Sequence, residues 1–208
     1  MRAVSDLGIE LIDGDRGHEY PKDSDFASKG FCLFLSAQNV TPDGFRFEDT
    51  QFITESKHRR LRKGTVDRDD IVVTTRGTLG NFAYYDDSVP FDVMRINSGM
   101  VIIRNGDQQL ATPFLYEMLR SALTERQIAL NAYGSAQPQL NLSILARLQV
   151  VVPSQGEQVI LRDLISAVIA RLSKEEGSGR KLRTLKHGLM DDLLTGRVRV
   201  TIPEEAAP

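Results

Sequence analysis

A run of basic residues is the sequence feature with the clearest chemical potential. Six lysines and arginines fall within twelve positions, at Lys57, Arg59, Arg60, Arg62, Lys63 and Arg68. Cations grouped on one edge of a protein can neutralise the phosphates of a nucleic acid. Arg59, Arg60, Arg62 and Lys63 are therefore the candidates for phosphate contacts. The alternative is a solvated helix face, which the same charges would also produce.

The basic run leads into a turn that carries an arginine. Residues 71–75 form a β-branched strand candidate, and residues 76–80 follow it as a glycine-containing turn. An arginine on a turn after a rigid strand can reach a base edge. The pattern predicts nucleic-acid contacts at Thr75, Arg76 and Thr78.

A polar loop in the second half of the chain is a third candidate. It contains Ser135, and three amide side chains follow at every second position, Gln137, Gln139 and Asn141. Amide side chains can make paired hydrogen bonds to adenine. The loop is therefore a candidate for base or groove contacts, and a plain connecting loop is the alternative.

No pattern in the sequence predicts catalysis or a metal site. His18, His58 and His187 are isolated, and none has a second ligand at metal-binding spacing. No phosphate loop, dinucleotide fingerprint or nucleophile elbow is present. Cys32 is the only cysteine and lies in an apolar run, which is typical of a buried, unreactive thiol.

The elements that must position these candidates form a mixed, sheet-rich α/β domain over residues 1–153. Expected strands lie at 7–12, 31–35, 71–75, 82–85, 98–104 and 148–152. The pair 71–75 and 82–85 is predicted to form a hairpin. Thr112 and Pro113 predict the start of a helix whose apolar face extends to Leu123, and a short helix is expected at 143–147.

A long helical pattern follows, from Gln155 to about Thr195. An apolar stripe at alternating steps of three and four comprises Leu161, Ile165, Val168, Leu172, Leu182, Leu185 and Leu189. Forty residues would give a rod of about 60 Å, which cannot bury this stripe against itself. Two glycines within residues 175–179 disfavour a helix and could divide the rod into two.

Composition limits the class of protein. The chain has 208 residues with 41% apolar and 26% charged residues, as in soluble globular proteins. The net charge of -2 argues against a strong non-specific polyanion binder but allows a local basic patch. No apolar run is long enough to span a membrane, and residues 1–6 lack the apolar core of a signal peptide. We therefore expect a cytoplasmic protein with no membrane partner.

Four stretches together resemble the DNA-specificity (S) subunit of type I restriction–modification enzymes. They are residues 12–17, 70–80, 134–142 and 185–200, and their order and spacing extend over nearly the whole chain. The resemblance implies a target-recognition domain at 1–153, a helical spacer and dimerisation region at 154–200, and a disordered tail at 201–208.

The resemblance also implies a division of labour between subunits. A subunit of this kind does no chemistry and needs no cofactor of its own. It binds one half of a split double-stranded DNA site and holds modification subunits, which transfer a methyl group from S-adenosylmethionine to adenine. A motor–nuclease (restriction) subunit joins the complex for restriction.

The chain departs from the family pattern in length. Family members ordinarily have two recognition domains and two spacers, whereas this sequence has one of each. A homodimer with antiparallel spacer helices would restore the missing half. The alternative is a fragment that lacks its other half. The glycines at 177 and 179 also depart from the continuous helix expected of the family.

Two rival functions remain open at the level of sequence. One is a protein-only scaffold or regulator, whose helix docks a methyltransferase while the basic run stays solvated. The other is a methyltransferase with its own recognition domain. The second is disfavoured because the chain lacks a cofactor-binding glycine motif and a catalytic Asn/Asp-Pro-Pro-aromatic motif.

Overall fold

The computed structural model describes residues 1–132 and 139–199, in two compact units, Met1–Arg162 and Asp163–Pro208. The described strands are β1 Arg2–Ala3, β2 Ile9–Asp13, β3 Cys32–Leu35, β4 Val40–Thr41, β5 Gly44–Phe45, β6 Phe52–Ile53, β7 Thr65–Val66, β8 Ile71–Thr74, β9 Phe82–Tyr84, β10 Met94–Ile96, β11 Met100–Asn105 and β12 Gln149–Val150. The described α-helices are α1 Glu55–Arg60, α2 Thr112–Leu119, α3 Ala122–Ala132, α4 Leu142–Arg147 and α5 Gln155–Leu194. Short 3₁₀ turns lie at Val4–Asp6, Asp23–Asp25 and Ala37–Asn39. The predicted class, a sheet-rich α/β domain followed by a long helix, is confirmed.

A four-stranded antiparallel sheet lies at the centre of the first unit, in the order β2-β11-β8-β9. The predicted hairpin of β8 and β9 is confirmed, with Ile71 opposite Tyr84. Alternate residues of β8 enter different cores. Ile71 and Val73 pack on one side of the sheet, and Val72 packs on the other. Because both faces are covered, β8 is apolar and β-branched along its length.

A second four-stranded sheet, in the order β6-β3-β10-β7, shares a core with one face of the central sheet. Strand β10 pairs parallel with β3 and antiparallel with β7. Its Met94 packs in the same cluster as Leu33, Val72 and Ile102. The sequence did not predict β10, because Arg95 interrupts its short apolar pattern.

Helices α2, α3 and α4 cover the other face of the central sheet, with Leu115, Ile128 and Leu145 in that core. The helix predicted from Thr112 through Leu123 is wrong in extent. It ends at Leu119, and α3 begins at Ala122. The hydroxyls of Ser121 and Thr124 both donate to the Met118 carbonyl, at 2.6 and 2.9 Å, and so compete with helical hydrogen bonds there.

The N-terminal boundary of α2 also differs from the prediction. The N-cap is Ala111, and Thr112 is already helical rather than the capping residue. The Thr112 hydroxyl instead accepts a hydrogen bond of 3.2 Å from the Asn105 side chain. Pro113 lies in the first turn, as its missing N–H allows.

The first turn of α5, which belongs to the first unit, is held by a capping box and a buried glutamine. The Ser154 hydroxyl and backbone amide both donate to the Glu157 carboxylate, at 2.7 and 2.9 Å. Gln158 is 2% exposed. Its amide nitrogen donates to the carbonyls of Gln109 and Pro153, and its oxygen accepts from the Ala111 amide.

Helix α5 runs without interruption from Gln155 to Leu194, so the suggested division at residues 175–179 is wrong. A glycine costs only about 1 kcal/mol relative to alanine inside a helix, and a helix of this length can absorb two. No helix among the described residues is both long enough and apolar enough to cross a membrane. The predicted tail at 201–208 lies outside the described residues.

Candidate nucleic-acid interface

The turn between β8 and β9 exposes Arg76 on a rigid support. The Thr74 hydroxyl donates to the Thr78 carbonyl and accepts from the Asn81 amide at 3.1 Å, which closes the turn. Gly77 and Gly80 have φ of 74° and 75°, a conformation that favours glycine. Arg76 and Thr78 are exposed at this turn, as a contact surface requires.

Thr75, the other residue predicted there, has a different position. It is 5% exposed, and its backbone joins three segments. Its N–H donates to the Gly99 carbonyl at 2.8 Å, and its C=O accepts from the Leu140 amide at 3.1 Å. Thr75 therefore anchors the turn, whereas Arg76 is the residue that the turn presents.

The turn at residues 13–17 packs against residues 97–98, next to the turn that carries Arg76. A Cβ added at Gly14 would lie 2.1 Å from the Asn97 carbonyl oxygen, so only glycine fits this close approach. Arg16 donates to the Ser98 carbonyl at 3.2 Å and forms an ion pair with Asp13 at 3.1 Å. This places a second arginine beside the Arg76 turn, and sequence reasoning assigned it no role.

Only part of the polar loop can be located. Ser135 and Gln137 lie outside the described residues, whereas Gln139 is exposed. Asn141 is the N-cap of α4, and its side-chain oxygen accepts from the Ile144 amide at 3.0 Å and the Ser143 hydroxyl at 2.7 Å. Capping occupies the oxygen that paired recognition of adenine would need, so Gln139 is the better placed of these two amides.

These three stretches meet around one surface cavity of about 360 Å³. Its lining residues are Asp13, Arg16, Thr75, Arg76, Val101, Gln139, Leu140, Asn141, Leu142 and Ser143. Asp13 balances the charge of Arg16, whereas the Arg76 guanidinium has no ion pair or hydrogen bond with another described residue. The cavity therefore combines one uncompensated cation with amide and hydroxyl groups that can donate and accept.

Much of the basic run is already paired within the chain. Thr54 caps α1, where Lys57 is 8% exposed and lies 3.2 Å from Asp25. Arg59 pairs with Glu55 one turn earlier, and Arg60 lies 3.0 Å from Glu19. Arg68 donates to the Val89 carbonyl and lies over the Tyr85 ring.

Arg62 and Lys63 are the exception. Both are exposed, and neither side chain has an ion pair or hydrogen bond with another described residue. Their backbone is held by Asp15, which accepts from the Arg62 amide at 2.8 Å and the Gly17 amide at 2.7 Å. Burial alone would raise the pKa of Asp15, but the amides of Gly17, Arg62 and Lys63 outweigh it and lower that pKa.

Helix α5 carries the predicted apolar stripe exposed to solvent. Val168 is 67% exposed and Leu182 is 65% exposed, and the other predicted positions are exposed or half-buried. Near its C-terminal end, a groove of about 370 Å³ is lined by Leu182, Leu185, Lys186, Leu189, Met190, Leu193 and Leu194. An exposed stripe of this size is typical of a helix with a protein partner.

Other reactive groups in the described part of the chain form no competing site. Cys32 is buried, as predicted, and this burial raises the pKa of its thiol to about 12. Across residues 1–132 and 139–199, no three His, Cys, Asp or Glu side chains are grouped to hold a metal ion.

A sheet-rich domain with such a surface, followed by a long helix with an exposed stripe, is the architecture expected of the DNA-specificity family that the sequence resembles. The family profile of the type I restriction modification DNA specificity domain matches residues 9–179. The chain therefore belongs to this family. This confirms the resemblance found in the sequence and, with it, the expectation of a non-catalytic specificity component.

Solved structures of similar chains have the same fold. A chain from a structure of the type I R-M system, which concerns its complex assembly and conformational transition, gives a TM-score of 0.64 at 15% identity. The match covers 91% of this chain and 44% of that one. The type I S subunit from M. genitalium gives 0.57 at 16% identity, over 91% and 44%. The HsdS subunit from Thermoanaerobacter tengcongensis gives 0.60 at 16% identity, over 92% and 43%.

These likenesses concern the fold alone. The chain spans less than half the length of each of the three solved chains. Among curated proteins, no sequence matches it significantly.

Proposed function

We propose that this chain reads one half of a split double-stranded DNA site for a type I restriction–modification complex and performs no chemistry itself. The observation that carries the proposal is the convergence of residues 13–16, 75–76 and 139–143 around one cavity. Three segments far apart in sequence build a single surface there, and each of them overlaps a family-like stretch. Arg76 and Gln139 supply the groups that can contact base edges in a groove.

The phosphate contacts come first from Arg62 and Lys63. Their side chains are exposed and unpaired in the described structure, so binding DNA breaks no internal ion pair. Arg59 and Arg60 would have to leave Glu55 and Glu19 to contact a phosphate. Exposed pairs of this kind are worth less than about 1 kcal/mol, so the exchange is feasible but contributes less.

The proposed partners are modification subunits, which transfer a methyl group from S-adenosylmethionine to adenine, and a restriction subunit that joins for cleavage. Helix α5 and its stripe supply the surface for assembly. We propose that two copies pair through antiparallel α5 helices, with Leu161, Ile165, Val168, Leu172, Leu182, Leu185 and Leu189 at the seam. The complex would act in the cytoplasm, where its DNA target lies.

The mass of the purified chain tests the pairing. A mass near twice 23.2 kDa by light scattering supports the homodimer. A monomer at all concentrations would favour the alternative that this chain is one piece of a longer subunit. In that case the second half would supply the partner helix.

DNA binding tests the reading function. The assembled complex is used to select preferred sites from a randomised oligonucleotide pool, and Kd is measured for preferred and scrambled DNA. Arg76→Ala should reduce the ratio of Kd for scrambled DNA to Kd for preferred DNA by about tenfold, since a good paired contact is worth about 1–3 kcal/mol. Arg126→Ala, which removes an exposed arginine from α3, should leave the ratio unchanged.

A protein-only scaffold remains the alternative function. Equal DNA binding by modification subunits with and without this chain would favour the scaffold and overturn the reading function.

A further inference from the structure

A buried arginine on β10 holds the segment that carries Arg62 and Lys63. Arg95 is 4% exposed. Its Nη2 donates to the Leu61 carbonyl at 3.0 Å, its Nη1 to the Lys63 carbonyl at 2.6 Å, and its Nε to His58 Nδ1 at 3.0 Å. One guanidinium thus fixes the end of α1 and both sides of Arg62.

Asp15 holds the same segment as a hydrogen-bond acceptor, whereas Arg95 acts as a donor. It is 8% exposed, and it accepts from the backbone amide of Arg62, while Arg95 donates to the neighbouring carbonyls. The segment then ends at Gly64, whose φ is 93° and whose carbonyl accepts from the Ile96 amide at 2.9 Å. Residues 61–64 are therefore restrained at each end and through their peptide groups.

The buried charges of Asp15 and Arg95 both bind the backbone of the exposed loop at residues 61–64. Neither Asp15 nor Arg95 forms an ion pair with another described residue. Burying an ionic group is costly, and here hydrogen bonds to the loop backbone, Gly17 and His58 compensate the cost together with the attraction between the two charges themselves. A loop that merely connected α1 to β7 could be closed by neutral groups.

We infer that Arg95 and Asp15 are positioning residues that pre-organise the Arg62–Lys63 loop for contact with DNA phosphates. The inference rests on the proposed function, since it assumes that these side chains meet DNA. A loop already fixed in its binding geometry loses less conformational freedom on association than a mobile loop does. Lysine cannot replace Arg95, because one ammonium cannot reach three acceptors that a planar guanidinium spans.

A double-mutant cycle in the assembled complex separates positioning from general support of the fold. Arg95→Lys and Asp15→Asn are each made in the wild-type chain and in a chain carrying Arg62→Gln and Lys63→Gln. Asp15→Asn places an NH₂ group beside backbone donors or leaves one of them unpaired. Kd for preferred DNA is measured from 50 to 200 mM salt, and melting temperature is recorded for every variant.

The glutamine pair should flatten the salt dependence by about 1.8 in slope, at about 0.9 per phosphate contact. Between 50 and 200 mM salt, the glutamine-pair chain should therefore lose about twelvefold less affinity than the wild-type chain does. In the wild-type chain, Arg95→Lys should weaken binding about threefold to tenfold. In the glutamine-pair chain it should change binding less than about twofold, because there is no cationic loop left to position. Lys29→Gln, on an exposed lysine, is the matched charge control.

Equal weakening by Arg95→Lys and Asp15→Asn in both backgrounds would overturn the inference while leaving Arg76-dependent reading intact. An unchanged slope in the glutamine-pair chain would also overturn it. Loss of the proposed function has a different signature, namely no preference for the selected DNA and no effect of Arg76→Ala.

Discussion

Asp70 is expected to be the most costly single carboxylate to remove from the recognition domain. It is 1% exposed and forms a two-point ion pair with Arg104, with distances of 2.9 and 2.7 Å, and it also accepts from the Asp67 amide. Removing one partner of a buried pair costs about 3–5 kcal/mol. The Arg104 side chain is 35% exposed and keeps a contact with Asp67 at 2.7 Å, so the cost of Asp70→Ala should lie at the lower end, about 3 kcal/mol. Urea unfolding followed by circular dichroism measures this loss.

Asp67 provides the control, because it contacts the same arginine from the surface. Its side chain is 62% exposed, so Asp67→Ala should cost less than about 1 kcal/mol. For a domain of this size, 3 kcal/mol corresponds to a fall of about 6–12 °C in Tm. If both variants lost the same stability, or if Asp70→Ala lost less than about 1 kcal/mol, the role assigned to the buried pair would be refuted.

Two further predictions concern the same unit. Gln158→Ala should destabilise the protein by about 1–3 kcal/mol in urea unfolding, because it removes a buried side chain that makes three hydrogen bonds, to the backbone of Gln109, Ala111 and Pro153. Burial, followed by the charges of Arg95 and Arg59, lowers the pKa of His58, while Glu55 opposes the shift. The unfolded chain therefore takes up this proton first, near pH ~6.5, so the contribution of His58 is complete above that pH and is lost as pH falls. His58→Gln should remove this part of the difference in unfolding free energy between pH 7.5 and pH 5.5, and an unchanged difference would contradict the prediction.

The parts of the fold that sequence predicts well are those with a strong local pattern. Strand β8 is a β-branched run because it is buried on both faces, and α5 repeats its apolar residues over many turns. The exposed turn that carries Arg76 is predictable in the same way, because it directly follows the clearest strand.

Other parts depend on contacts between distant segments. The pairing of Arg60 with Glu19 joins residues 41 positions apart. The sequence does not show this pairing, so it overstates how many side chains of the basic run are free to contact phosphates. Arg95 looked like a break in a weak apolar pattern and belongs instead to a central buried strand. The only local signal for it was an arginine flanked by Met94 and Ile96, and nothing in that pattern indicates a link to residues 61–63.

Local chemistry is ambiguous where one side chain can serve two roles. The amide of Asn141 can read adenine, but an asparagine three residues before an apolar position is also a good helix cap, and Asn141 caps α4. The glycines at 177 and 179 suggested a break in α5, although their cost is small beside the hydrogen bonds of a forty-residue helix.

Site-specific photo-crosslinking tests most directly whether the cavity surface contacts DNA. A photoreactive residue is placed at Gln139 beside the cavity or at Gln108, an exposed glutamine beyond the other end of β11. The six residues of that strand separate its two ends by about 20 Å. With the assembled complex on its selected DNA, the proposed cavity surface predicts a crosslink from position 139 and none from position 108. Crosslinks from position 108 alone would contradict it.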